Sequence, residues 1–217
     1  MEKLLFILEL IGVAAFAVAG AMTAMERKAD AFGVIFAAVI TALGGGIIRD
    51  ILLGQLPPRM FTSYTYVLVA VLASLAVFAN AYVRREKYRS NAEKLDAVNN
   101  FFDAIGLAVF TVSGMNMAIT KCGMSNPFLI VVLGVTTGIG GGMIRDMMLG
   151  VMVKVLRKRI YAIASLTGGI LYYLLLVLGV NDVVSVLASM IFIFVLRILA
   201  TVYNGTCRAL RYNINKM

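Results

Sequence analysis

The sequence contains no histidine and no tryptophan, only two cysteines and three prolines, and few charges. Without histidine there is no imidazole general base and no histidine metal ligand. Cys122 and Cys207 form neither a CxxC pair nor a metal-ligand spacing. No nucleophile–base pair stands out either, so the expectation is a protein that is not an enzyme and carries no metal or cofactor. Charged residues make up 14% of the 217, against about a quarter in a soluble domain. Hydrophobic residues make up 61%, and the mean hydropathy is +0.93. This is the composition of an integral membrane protein. The net charge of +9 would suit a nucleic acid partner, but the basic residues cluster between apolar runs. The positive-inside rule produces that distribution, so no nucleic acid partner is expected.

A membrane-spanning helix needs about 20 apolar residues. Breaks at charge clusters predict seven spans, at 4–25, 31–53, 62–83, 96–120, 126–150, 160–180 and 183–204. The first resembles a signal peptide, but Glu9 interrupts its apolar core and the segment has a partner later in the chain. It is expected to be a retained span. Pro57-Pro58 closes the second, since proline cannot continue a helix.

The chain repeats itself. Gly44-Gly45-Gly46-Ile47-Ile48-Arg49-Asp50 returns as Gly140-Gly141-Gly142-Met143-Ile144-Arg145-Asp146. Glu9, Gly12, Phe16 and Gly20 return as Asp103, Gly106, Phe110 and Gly114. One membrane domain is therefore expected, with repeat 1 over 1–90, repeat 2 over 91–180, and a seventh helix with a C-terminal tail over 181–217. Three spans per repeat is an odd number, which places the second copy upside down in the membrane. Lys and Arg fix the orientation. With the N-terminus outside and the C-terminus cytoplasmic, fourteen fall inside and three outside, the other three being Arg49, Arg145 and Arg197 within spans.

Three adjacent glycines weaken a helix, so the second and fifth spans are expected to be kinked at Gly44–Gly46 and Gly140–Gly142. An interrupted helix frees carbonyls, which can replace a cation's hydration shell, and N–H groups, which favour a carboxylate. A channel for cations and a secondary transporter for a zwitterion such as glycine both fit. Ionisable groups at membrane depth are functional candidates. Arg49 is expected to pair with Asp146, and Arg145 with Asp50, because adjacent residues on one helix do not face each other. Accessory roles fall to Glu9 and Asp103, read as vestibule carboxylates or as solvated first-turn acids. Arg197 either snorkels to the headgroups or neutralises an aspartate. Lys154, Arg157, Lys158 and Arg159 are candidates for anionic lipid headgroups. No span carries an arginine ladder, so strong intrinsic voltage sensing is not expected.

Two GGGxxRD segments on inverted three-helix repeats, the stretch DAIGLAVFTVSG opening the second repeat, and a seventh helix resemble the prokaryotic trimeric intracellular cation (TRIC) channel family. The resemblance spans nearly the whole chain. It implies a homotrimer in the bacterial or archaeal plasma membrane, with a pore in each protomer permeable to K+ or Na+ and bounded by the kinked second and fifth helices. Carried over, the pore residues are Gly44–Gly46, Arg49, Asp50, Gly140–Gly142, Arg145 and Asp146. Animal relatives carry Lys-Glu-Val at one kink, where phosphoinositide binds. This chain has Arg49-Asp50-Ile51 and Arg145-Asp146-Met147 there.

Overall fold

The computed structural model describes residues 1–83, 92–157 and 160–214. Arg84, Arg85, Lys87, Arg89, Lys158, Arg159 and the side chains of Arg157 and Cys207 lie outside that description. Nine helices and no strand occur among the described residues: α1 (Glu2–Glu26), α2 (Ala31–Leu52), α3 (Arg59–Thr62), α4 (Tyr64–Val83), α5 (Ala92–Cys122), α6 (Pro127–Met148), α7 (Lys154–Arg157), α8 (Ile160–Val177) and α9 (Asp182–Ile214). Six are long and apolar enough to cross a membrane: α1, α2, α4, α5, α6 and the first part of α9. The sixth expected span appears as α8, whose apolar stretch Tyr161–Val177 is shorter. The four-residue helices α3 and α7 were not expected, being too short to show periodicity. They follow α2 and α6 respectively, one in each half of the chain.

Local signals set the ends of α2 and α6 in parallel. Asp30 caps α2, its carboxylate accepting the Gly33 N–H at 2.7 Å. Asn126 caps α6, its side-chain oxygen accepting the Leu129 N–H at 3.0 Å, with Pro127 in the first turn, where its missing N–H costs nothing. Past the last turns, Gly54 and Gly150 adopt φ of +65° and +61°, a conformation that stops a helix and suits glycine.

Between those ends both helices are continuous. The interruption expected at Gly44–Gly46 and Gly140–Gly142 is not there, and the main-chain carbonyls stay in the helical ladder. The triplets serve packing instead. A Cβ on Gly45 would fall inside the Thr137 carbonyl, and one on Gly141 inside the Thr41 carbonyl. These two collisions are mates: each glycine touches the position in the other helix that corresponds to its own partner. Such an isologous contact is the mark of a two-fold axis. With lipid on one side and protein on the other, close backbone approach of this kind supplies much of the helix–helix attraction.

α1 and α5 show the sense of that axis. Glu9 meets Ser113, Gly12 meets Phe110, Phe16 meets Gly106, and Thr23 meets Asn99. Every step up α1 is matched by an equal step down α5, so the helices run antiparallel and the axis lies across them. Phe16 and Phe110 stack over it with centroids 5.4 Å apart. α9 has no mate in this scheme and packs on α5 and α8.

Candidate functional site: two arginine–carboxylate clusters

Arg49 sits near the C-terminal end of α2, and its guanidinium folds back along its own helix. Nε donates to Asp50 Oδ1 at 2.8 Å, and Nη2 lies 2.7 Å from the same oxygen. The other carboxylate oxygen accepts the Arg59 N–H at 2.9 Å, and the Asp50 carbonyl accepts the Gln55 N–H at 2.8 Å. Asp50 thus ties off α2 and anchors the start of α3. Nη1 of Arg49 is 4.0 Å from Glu9 Oε1. Glu9 accepts from the Tyr66 hydroxyl at 2.7 Å through Oε2, and from the Ser113 hydroxyl through Oε1.

The second copy repeats this geometry. Arg145 Nε donates to Asp146 Oδ1 at 2.8 Å, Asp146 Oδ2 accepts the Lys154 N–H at 2.9 Å, and the Asp146 carbonyl accepts the Val151 N–H at 2.9 Å. Asp103 stands where Glu9 stood, but in different company. Arg145 Nη1 lies at 3.3 Å, Lys154 Nζ at 3.4 Å and Arg197 Nη2 at 3.6 Å from its carboxylate. The Arg197 guanidinium also lies over the Tyr161 ring, 4.6 Å from its centroid. Arg145 and Asp103 are 0% exposed.

Several expectations change here. The cross-repeat pairs Arg49–Asp146 and Arg145–Asp50 do not form. An arginine side chain is long enough to turn back on its sequence neighbour, and the two-fold contact joins the glycines, not the Arg-Asp pairs beyond them. Glu9 and Asp103 are not solvated first-turn acids. α1 begins at Glu2 and α5 at Ala92, so both carboxylates lie well inside their helices and are buried. Arg197 does not snorkel; it is buried and neutralises an aspartate, the one on α5. Lys154, expected among the headgroup contacts, turns its ammonium to Asp103.

The sequence reading passed over Tyr66, Tyr161, Ser113 and the N–H groups of Arg59 and Lys154. The tyrosines were visible as repeat mates just after the chain re-enters the bundle. The N–H groups carry no sequence signal, since any residue but proline supplies one.

The cluster around Arg49 opens to space. A cleft of about 660 Å³ runs between α1 and α5, with Lys3, Glu9, Arg59, Ser113, Asn116 and Thr120 in its walls. Deeper lies a cavity of about 40 Å³ walled in part by Glu9, Gly46, Arg49, Asp50, Arg59 and Tyr66. Glu9 and Arg59 line both.

Comparison with known proteins agrees with this architecture. The profile of the Glycine transporter family matches twice, at residues 6–82 and 100–176. A UPF0126 inner membrane protein of Escherichia coli is 36% identical over 169 residues, 78% of this chain and 77% of that protein. A UPF0126 membrane protein of Deinococcus radiodurans is 38% identical over 163 residues, 74% of this chain and 71% of that one. Among solved structures, a prokaryotic TRIC channel crystallised in 0.5 M KCl superposes with a TM-score of 0.85 at 33% identity, covering 94% of this chain and 99% of that chain. A doubled family match, curated membrane-protein relatives and a shared TRIC fold converge: the chain is a multi-pass membrane protein belonging to the Glycine transporter (UPF0126) family, of prokaryotic TRIC-channel type.

Proposed function

We propose that this protein is a monovalent-cation channel that conducts potassium, and sodium, passively through a path inside each protomer of a homotrimer. The observation that carries the reading is the buried Glu9 carboxylate standing where the cleft meets the cavity. Glu9 shares the cavity wall with Arg49, Asp50, Arg59 and Gly46, and accepts from the hydroxyls of Tyr66 and Ser113. Because α2 and α6 are continuous, their carbonyls are not free ligands, and side-chain oxygens take that role. A carboxylate lining the path, with no cationic side chain hydrogen-bonded to it, offers a permeant cation an oxygen ligand. From the cleft the path reaches the cavity beside Gly46 on α2, the second span. From there it would have to open the close-packed crossing of α2 and α6, the fifth span.

In this reading α8 is the remaining crossing, giving seven, and the two halves (1–90 and 91–180) are inverted repeats in a bacterial plasma membrane. The N-terminus is outside, the C-terminus cytoplasmic, and the cluster at Arg157–Arg159 meets lipid headgroups. Solved relatives described as trimeric and as cation channels support the assembly and the conductance. The family description favours a second reading, a secondary transporter of glycine or another small solute.

Current across a planar bilayer under a potassium gradient decides between them. Unitary steps reversing near the potassium potential are expected. A silent bilayer with saturable uptake of labelled glycine into matching liposomes would establish the carrier.

A further inference from the structure

We infer that the Glu9 carboxylate is the side chain that binds the permeant cation, while the aspartates of the two GGGxxRD segments do not. The inference rests on the channel reading and sharpens it to one ligand. The four carboxylates buried among the described residues differ in what remains of their charge. Asp50 gives Oδ1 to Arg49 and Oδ2 to the Arg59 N–H. Asp146 is committed in the same way to Arg145 and the Lys154 N–H. Asp103 faces three cationic side chains. Glu9 alone of the four takes its side-chain hydrogen bonds from hydroxyls, with the Arg49 guanidinium at 4.0 Å and Arg59 lining the same two spaces. Hydroxyl donors orient a carboxylate without cancelling its charge.

Access separates them too. The Glu9 side chain is 10% exposed, against 2% for Asp50, 0% for Asp103 and 2% for Asp146. Glu9 lines both the cleft and the cavity behind it, so an ion moving from one to the other passes it. Ser113 and Tyr66 donate their protons to Glu9 and keep lone pairs for a cation, which makes a hard, all-oxygen site. One carboxylate with neutral oxygens suits a singly charged ion held weakly enough to leave again. A divalent ion takes more oxygen ligands and usually several carboxylates.

Two experiments test this. In bilayers under a KCl gradient, wild type is expected to reverse near the potassium potential. Glu9→Gln moves the reversal toward zero and lowers conductance at low salt about tenfold, and Glu9→Asp restores most of both. A Glu9→Gln channel with wild-type reversal and conductance would overturn the inference. The second experiment uses unaltered protein, so it does not depend on a variant folding. An apolar carbodiimide is applied with K+ or with choline, and the modified carboxyls are mapped by mass spectrometry. K+ is expected to slow modification of Glu9. Equal modification in both salts would overturn the inference even if the wild-type protein conducts. Protection by K+ in a protein that passes no current would leave the ion site standing and remove the channel.

Discussion

The cluster around Arg49 and the cluster around Arg145 are built from the same seven-residue motif, yet their ion pairs balance in opposite directions. In the first, two carboxylates (Glu9 and Asp50) meet one guanidinium. In the second, two carboxylates (Asp103 and Asp146) meet Arg145, Lys154 and Arg197. Two differences produce the reversal. Lys154 brings its ammonium to Asp103, whereas Arg59, which holds the corresponding place, lines the cleft. Arg197 comes from α9, the helix without a mate. A two-fold fold with one helix left over is symmetric in its scaffold and asymmetric in its chemistry. One cluster is filled and sealed by the extra helix, and the other stays open to the cleft.

The scaffold half of this comparison is the easiest to break. Gly45→Ala and Gly141→Ala each drive a methyl into a backbone carbonyl, which has no rotamer by which to yield. Each is expected to destabilise by about 4 kcal/mol or to prevent folding, and the two to do so alike in detergent melts. Unequal losses would show that the crossing is not two-fold. The chemical half predicts unequal effects. Asp103→Asn removes a charge that offsets three buried cations and is expected to cost about 3–5 kcal/mol. Arg197→Met leaves Arg145 and Lys154 on Asp103, and about 2 kcal/mol is expected in the same melts. Ser113→Ala removes one donor from Glu9. Its expected cost is about 1 kcal/mol, with a change in conductance larger than so small a loss of stability would bring. Urea or thermal melts paired with bilayer recordings separate these classes.

Much of the scaffold was legible in the sequence because it is written as a repeat. Gly12 and Gly106, Phe16 and Phe110, and the Gly triplets are visible by comparison of the chain with itself, and odd spans per repeat imply inversion. An interruption at the triplets is not found, because glycine's low helix propensity is a local quantity. The constraint at Gly45 and Gly141 is a carbonyl from the other half of the chain, to which no local window has access. Arg49 and Asp50 were separated for a similar reason. A rule about faces of a helix describes Cβ directions, whereas a guanidinium reaches past them. Glu9 looked like an end-of-helix acid because its depth depends on where α1 begins. That Asp103 is saturated and Glu9 is not depends on Arg197, which carries no mark in sequence of the helix it will meet.

The most direct test of the asymmetry uses mirror positions at the ends of the triplets. A Cβ at Gly46 meets nothing nearer than Arg49 Nη2 at 3.8 Å, and at Gly142 nothing nearer than the Tyr161 hydroxyl at 3.4 Å, so both positions tolerate a small side chain. Gly46→Cys and Gly142→Cys, each with Cys122 and Cys207 changed to serine, would be exposed to a small cationic methanethiosulfonate in liposomes and the modification counted by mass spectrometry. Rapid modification at position 46 with position 142 left intact is the predicted result. Equal modification at the two positions would contradict the division of the fold into one open cluster and one sealed cluster.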